Sequence, residues 1–174
     1  MTLREPEKAS LVDALWDKLE LSADAKSGPT GPVQHVLDGG PLLHRVFWPQ
    51  QVTYEELCNK YCQYVLRRYG KQTIVVFDGY NSLTTKNITH QRRSAGKVSA
   101  TVRVTFVQSM KVTMKRELFL ANLENKKQFI KTLRRFLEGS GWPTFKANGN
   151  ADTLIVKTAV EAASERPTVL RRRH

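Results

Sequence analysis

Ile74-Val75-Val76-Phe77-Asp78-Gly79 is the stretch whose reading decides the fold. Four apolar residues run without interruption, three of them β-branched, and Asp78-Gly79 closes the run. A strand with one wet face would alternate apolar and polar residues. The unbroken run instead predicts a strand covered on both faces, as in a parallel sheet. Asp78 then lies where the strand ends, so the strand delivers a carboxylate to the edge of an α/β sheet.

Immediately before it, Thr53 to Tyr69 has helical spacing, with Leu57, Tyr61, Tyr64 and Val65 on one stripe. Thr53 and Glu56 form a capping box, and Gly70 supplies a left-handed stop. Further upstream, Val33 to Leu37 predicts a short strand ending in Asp38-Gly39-Gly40. A carboxylate followed by two glycines predicts a tight turn, with backbone brought close to whatever the aspartate holds. Ser10 to Leu21 reads as an amphipathic helix and Ser22 to Pro32 as a linker, so residues 1–32 are set apart from a domain at 33–174.

Downstream, Tyr80 to Lys97 is polar and basic and fits helix or loop equally. Val98, Ala100, Val102, Val104 and Phe106 alternate and predict a strand. Helical spacing returns from Thr113 to about Glu138. Thr144 to Ala147 is a short strand candidate. A helix opening at Gly149 or Asn150 would place Ala151, Leu154, Ile155, Thr158, Ala159 and Ala162 inward. Pro167-Thr168-Val169-Leu170 could start one more strand before Arg171-Arg172-Arg173-His174. Strands alternating with helices imply a parallel sheet flanked by helices, with function gathered outside the strands' carboxyl ends.

A chain of 174 residues suits one domain, and 40% hydrophobic with 25% charged residues is ordinary for a globular protein. Aliphatic runs are too short to span a bilayer, so no membrane partner is expected. Met1 to Lys8 has no apolar core of a secretory signal, leaving an intracellular location as the expectation. Cys58 and Cys62 stand four apart on one helical face, where they do not easily form a disulfide; two small buried or half-buried thiols are expected, with a weak two-ligand metal site as the alternative. His44 is expected to be structural. His35, His90 and His174 have no Ser or Cys nucleophile arranged around them, and Gly28 to Gly31 lacks the lysine of a phosphate-cradling loop.

Charge gives the first functional hint. The net is +12, yet residues 1–33 hold four basic and six acidic residues, whereas residues 34–174 hold twenty-four and ten. From Gly79 to Arg116 there are eight basic residues and no acidic one. Such a field favours a polyanion, and nucleic acid is the expected partner.

Asp38 and Asp78 at strand ends, and Asp152 in the first turn of a helix, fall on one rim. Three such carboxylates suit Mg²⁺ or Mn²⁺, and these ions serve phosphodiester hydrolysis. Each aspartate alone is better read as a turn former or helix cap.

The order of motifs resembles the flap-endonuclease-like branch of the PIN-domain nucleases. It is carried by Leu37-Asp38-Gly39-Gly40-Pro41-Leu42-Leu43-His44-Arg45-Val46, Val75-Val76-Phe77-Asp78-Gly79-Tyr80, and Thr85-Lys86 with His90-Gln91-Arg92-Arg93. Phe119-Leu120-Ala121-Asn122, Asn125-Lys126-Lys127-Gln128-Phe129-Ile130 and Ala147-Asn148-Gly149-Asn150-Ala151-Asp152 continue it. The resemblance implies a PIN-like parallel sheet flanked by helices. It implies a metal site of Asp38, Asp78 and Asp152, with Lys86, Arg92 and Arg93 holding scissile phosphates.

Two departures are visible. Asn150 stands where the family has an acid, and the family's last acidic strand would begin where this chain ends. A domain lacking its C-terminal part is therefore expected, with weak Mg²⁺ or Mn²⁺ binding and room for a partner chain to complete the sheet. The resemblance thus leaves three readings: a partial metal-dependent nuclease, a non-catalytic nucleic-acid binder, and a truncated fragment with no activity of its own.

Overall fold

A computed structural model of the chain divides it into two units, Met1–Pro32 and Val33–His174. The structure describes residues 32–79, 102–148 and 151–171. The predicted helix at Ser10 to Leu21, the basic segment Tyr80 to Lys97, and Asn150 lie outside the described residues.

The second unit is an α/β layer built on four parallel strands. In chain order these elements are β1 (Gln34–Asp38), α1 (Gly39–Arg45), α2 (Tyr54–Tyr69), β2 (Thr73–Phe77), α3 (Arg116–Ala121), α4 (Leu123–Gly139), β3 (Thr144–Lys146), α5 (Ala151–Ala163) and β4 (Thr168–Arg171). The sheet order is β3-β2-β1-β4, every pairing parallel. The chain starts in the middle, steps outward through β2 to β3, then crosses to the other side of β1. β1 and β4 therefore flank the point where the winding reverses.

The unbroken apolar run behaves as its composition predicts. Val75 and Phe77 join Leu37 in a large core with residues of α1, α2, α3 and α4, among them Leu43, Tyr61, Phe119, Phe129 and Leu133. Val76 and Val36 point the opposite way, into a smaller core with Ala147, Ala151 and Ile155. Alternate side chains of one strand thus feed two cores, which is why the run Ile74 to Phe77 carries no polar residue. Within the larger core, Trp48 Nε1 donates to the Tyr61 hydroxyl at 2.8 Å, and that hydroxyl donates to the Leu43 carbonyl at 2.7 Å. The buried polar atoms of both rings are thereby satisfied.

The α2 capping box is present, with Glu56 N donating to Thr53 Oγ1 and Thr53 N to Glu56 Oε2. Gly70 ends the helix at φ 79°. Cys58 and Cys62 are free and buried, and burial pushes the Cys58 thiol up to about 12, so neither is a ready nucleophile.

Several expectations are corrected. The alternating stretch through Val98 to Phe106 predicts a strand, yet residues 102–107 form none. Their backbone is met by side chains of α4 instead. Asn125 Oδ1 accepts from Val104 N at 2.8 Å, Asn125 Nδ2 donates to Val102 O at 3.0 Å, and Gln128 Nε2 donates to Phe106 O at 2.9 Å. Tyr54 N and Glu55 N then donate to the carbonyls of Met110 and Gln108, so this segment also closes the start of α2.

The helical stretch from Thr113 to Glu138 is two helices, because Asn122 turns extended and caps α4 through Glu124 N and Asn125 N. Asp38-Gly39-Gly40 is the start of α1 and not a separate turn. The other end of α1 is held by Arg116, whose Nη1 donates to the carbonyls of His44 and Val46. The stretch Pro167 to Leu170, read as a possible start of one more strand, does supply one. Thr168–Arg171 lies beside β1, pairing Gln34 with Thr168 and Leu37 with Arg171.

Candidate functional site

Parallel pairing brings all four strand ends to one rim. β1 ends in Asp38, and β2 runs directly into Asp78. The edge strands end in bases: Lys146 stands opposite Phe77, and Arg171 opposite Leu37. Across the rim the order is Lys146, Asp78, Asp38, Arg171, two central carboxylates flanked by two cations.

Both aspartates are held by backbone. Asp38 caps α1, its Oδ1 accepting from Gly40 N at 2.9 Å. Asp78 Oδ1 accepts from Ala151 N at 2.7 Å and so closes the N-terminus of α5 from a neighbouring strand. Negative charge is favourable at both helix starts, where unpaired amide protons point outward.

The glycines beside the aspartates make this geometry achievable. A Cβ on Gly39 would stand 2.3 Å from the Phe77 ring, and one on Gly79 would stand 1.8 Å from the Ala147 carbonyl oxygen. A Cβ on Gly40 would lie 3.2 Å from Asp38 Oδ1 and 3.8 Å from Asp78 Oδ2. The two carboxylates therefore converge over the Gly40 backbone. A side chain there would intrude between them.

Asp152 sits in the first turn of α5, one residue beyond the amide that Asp78 accepts from. Among the described residues, no three His, Cys, Asp or Glu side chains gather as a metal-holding group. Asp38 and Asp78 are brought together, and Asp152 does not complete a trio with them. Lys86, Arg92 and Arg93 lie outside the described residues.

Sequence reasoning missed two rim residues, Lys146 and Arg171. The signal that could have found Arg171 is Thr168-Val169-Leu170, whose β propensity places the next residue at a strand end. Arg171 lines a crevice of about 30 Å³ with Asp38, Pro41, Leu42, Arg45 and Tyr69. Burial, and then the Arg171 charge, hold the nearby His35 imidazole below its ordinary value.

Compared with models of known protein families, with curated proteins and with solved structures, the chain matches none. Among the described residues, no helix is long and apolar enough to cross a membrane.

Proposed function

We propose that this chain is a PIN-like domain, related to the flap-endonuclease branch, that engages nucleic-acid phosphodiesters at the Asp38–Asp78 rim. The observation that carries this reading is the convergence of the two carboxylates over Gly40, at the ends of adjacent central strands. In open parallel sheets that rim is where ligands bind.

The donor chemistry fits Mg²⁺ or Mn²⁺, since hard divalent cations prefer carboxylate oxygen. Asp38 and Asp78 would hold such an ion, and Asp152, in the first turn of α5, stands outside that pair. A bound ion would supply charge neutralisation at the scissile phosphate and an activated water. The protein's own residues do the rest. Backbone amides at the starts of α1 and α5 fix the aspartates, and Lys86, Arg92 and Arg93 would hold phosphates beside them. With the acids fewer than the fold family provides, the ion is bound weakly.

Arg171 and Lys146 favour a second reading, a non-catalytic nucleic-acid binder. Positive charge beside a carboxylate pair lowers its attraction for a divalent ion and raises it for phosphate. Residues 34–174, with twenty-four basic and ten acidic side chains, support the same reading.

The deciding experiment is cleavage of labelled single-stranded and flap DNA, and of single-stranded RNA, in Mn²⁺. The nuclease reading expects cleavage by the wild type, falling to background in Asp78→Asn. Equal cleavage by both would contradict it. Absence of cleavage by either, with salt-sensitive binding retained, would establish the second reading in its place.

A further inference from the structure

A second surface, which shares only Arg45 with the rim crevice, carries chemistry that the rim does not use. Between the end of α1 and one face of α2 lies a groove of about 440 Å³. Arg45 enters it from α1, and Lys60, Arg67 and Arg68 enter from α2, together with Tyr64. The α2 residues are spaced so that they share one helical face. From Lys60 to Arg68 they spread charge over about 12 Å of helix. No acidic residue lines the groove. None of its four cations makes a salt bridge or side-chain hydrogen bond with a described residue.

Phe47 forms part of the wall and is 77% exposed. Its exposure is imposed by its neighbours, since Val46 and Trp48 on either side are only 6% and 5% exposed. Trp48 is further anchored by its hydrogen bond to Tyr61. A large ring is therefore held outward on fixed backbone beside four cations.

We propose that this groove binds single-stranded nucleic acid, with Arg45, Lys60, Arg67 and Arg68 on phosphates and Phe47 as a stacking platform for a base. Concentrated positive charge alone would attract any polyanion. The combination of a cationic groove with a presented aromatic ring is the chemistry that recognises unpaired bases on a phosphodiester chain. The site needs no metal and lies about 10 Å along α1 from the Asp38 cap, so it stands whether or not the rim cleaves.

The test is fluorescence anisotropy with a labelled oligothymidylate in EDTA, which removes any contribution from divalent ions. Arg67→Ala/Arg68→Ala is expected to weaken binding and to lower the slope of log affinity against log salt by about 1.4, at about 0.7 per single-strand phosphate contact. Phe47→Ala is expected to weaken binding about ten-fold with the salt slope unchanged. Lys157→Ala, which removes a charge from the exposed face of α5 outside the groove, is expected to bind as the wild type does. All substituted groove residues are surface groups, so unchanged unfolding midpoints accompany these losses. Wild-type binding by either groove variant would overturn the proposal. So would equal affinity for polyglutamate, because that marks a general polyanion surface.

Discussion

Gly79→Ala is expected to lower the unfolding midpoint by roughly 10 °C, the equivalent of about 3 kcal/mol in a domain of this size. The added Cβ would meet the Ala147 carbonyl oxygen at 1.8 Å and its carbon at 2.7 Å. The obstacle is backbone and cannot rotate aside as a side chain would. Nor can that backbone retreat cheaply, because Ala147 N donates to Phe77 O at 3.0 Å and extends the β2–β3 pairing past the strand. Moving it also pulls α5 away from Asp78, whose carboxylate closes the helix start. Gly139→Ala provides the matched control. A Cβ there meets nothing within 4 Å, and the helical position gains from the lost chain freedom of glycine. Thermal unfolding followed by circular dichroism checks both. A Gly79→Ala midpoint within 2 °C of wild type, roughly 0.5–1 kcal/mol, would show that the Ala147 approach is not required.

Asn125→Ala is the second substitution with a large expected cost, about 3 kcal/mol or roughly 6–12 °C. Asn125 is fully buried, and its amide serves both a donor and an acceptor of an extended chain that has no strand beside it. Truncation leaves a cavity at a fully buried site and takes the partner from the half-buried Val104 N–H, while the Val102 carbonyl, on a residue 65% exposed, can turn to water. Asn125→Asp restores the acceptor for Val104 but not the donor for Val102, and buries a charge. Hydrogen exchange at the Val104 amide separates the local effect from global unfolding. It is expected to quicken in Asn125→Ala beyond what the stability loss alone produces. Unchanged protection there would contradict the bracing role.

These two residues also mark what was legible in the sequence. The run Ile74 to Phe77 announced a strand with two covered faces because a parallel strand has no wet side to pattern. Thr53 and Glu56 announced a helix start because the capping box is a purely local bond pair. The stretch 102–106 misled for a physical reason. Phe106 is buried and Val104 half-buried beside exposed Arg103 and Thr105, so the inward–outward alternation is real from 103 to 106, and it stops at Val102, which is exposed. The hydrogen-bonding partner, however, is the side chain of Asn125 and not a strand. Periodicity reports which side chains turn inward and is silent on what the backbone binds.

At the rim, Asp38 and Asp78 could be placed from sequence, and the glycines after them hinted at close approach. The Asp38 cap is local, made to the amide two residues on, and fits the helix-cap reading of a lone aspartate, whereas the Asp78 cap could not be placed. Asp78 bonds an amide seventy-three positions away, a contact set by the packing of α5 and by no local pattern. Arg171 escaped for a related reason. Its role depends on β4 crossing back beside β1, a step of topology that four residues of β propensity do not specify.

The most direct test of the rim is a titration of Mn²⁺ into the wild type and into Asp38→Asn/Asp78→Asn, followed by electron paramagnetic resonance of the free ion. Asparagine keeps an oxygen to accept from Gly40 N and Ala151 N, so the double variant removes charge while retaining both caps. The proposal expects one weakly bound ion per wild-type chain and none in the variant. An equal amount bound by both, or no bound ion in the wild type, would contradict a divalent site at Asp38 and Asp78.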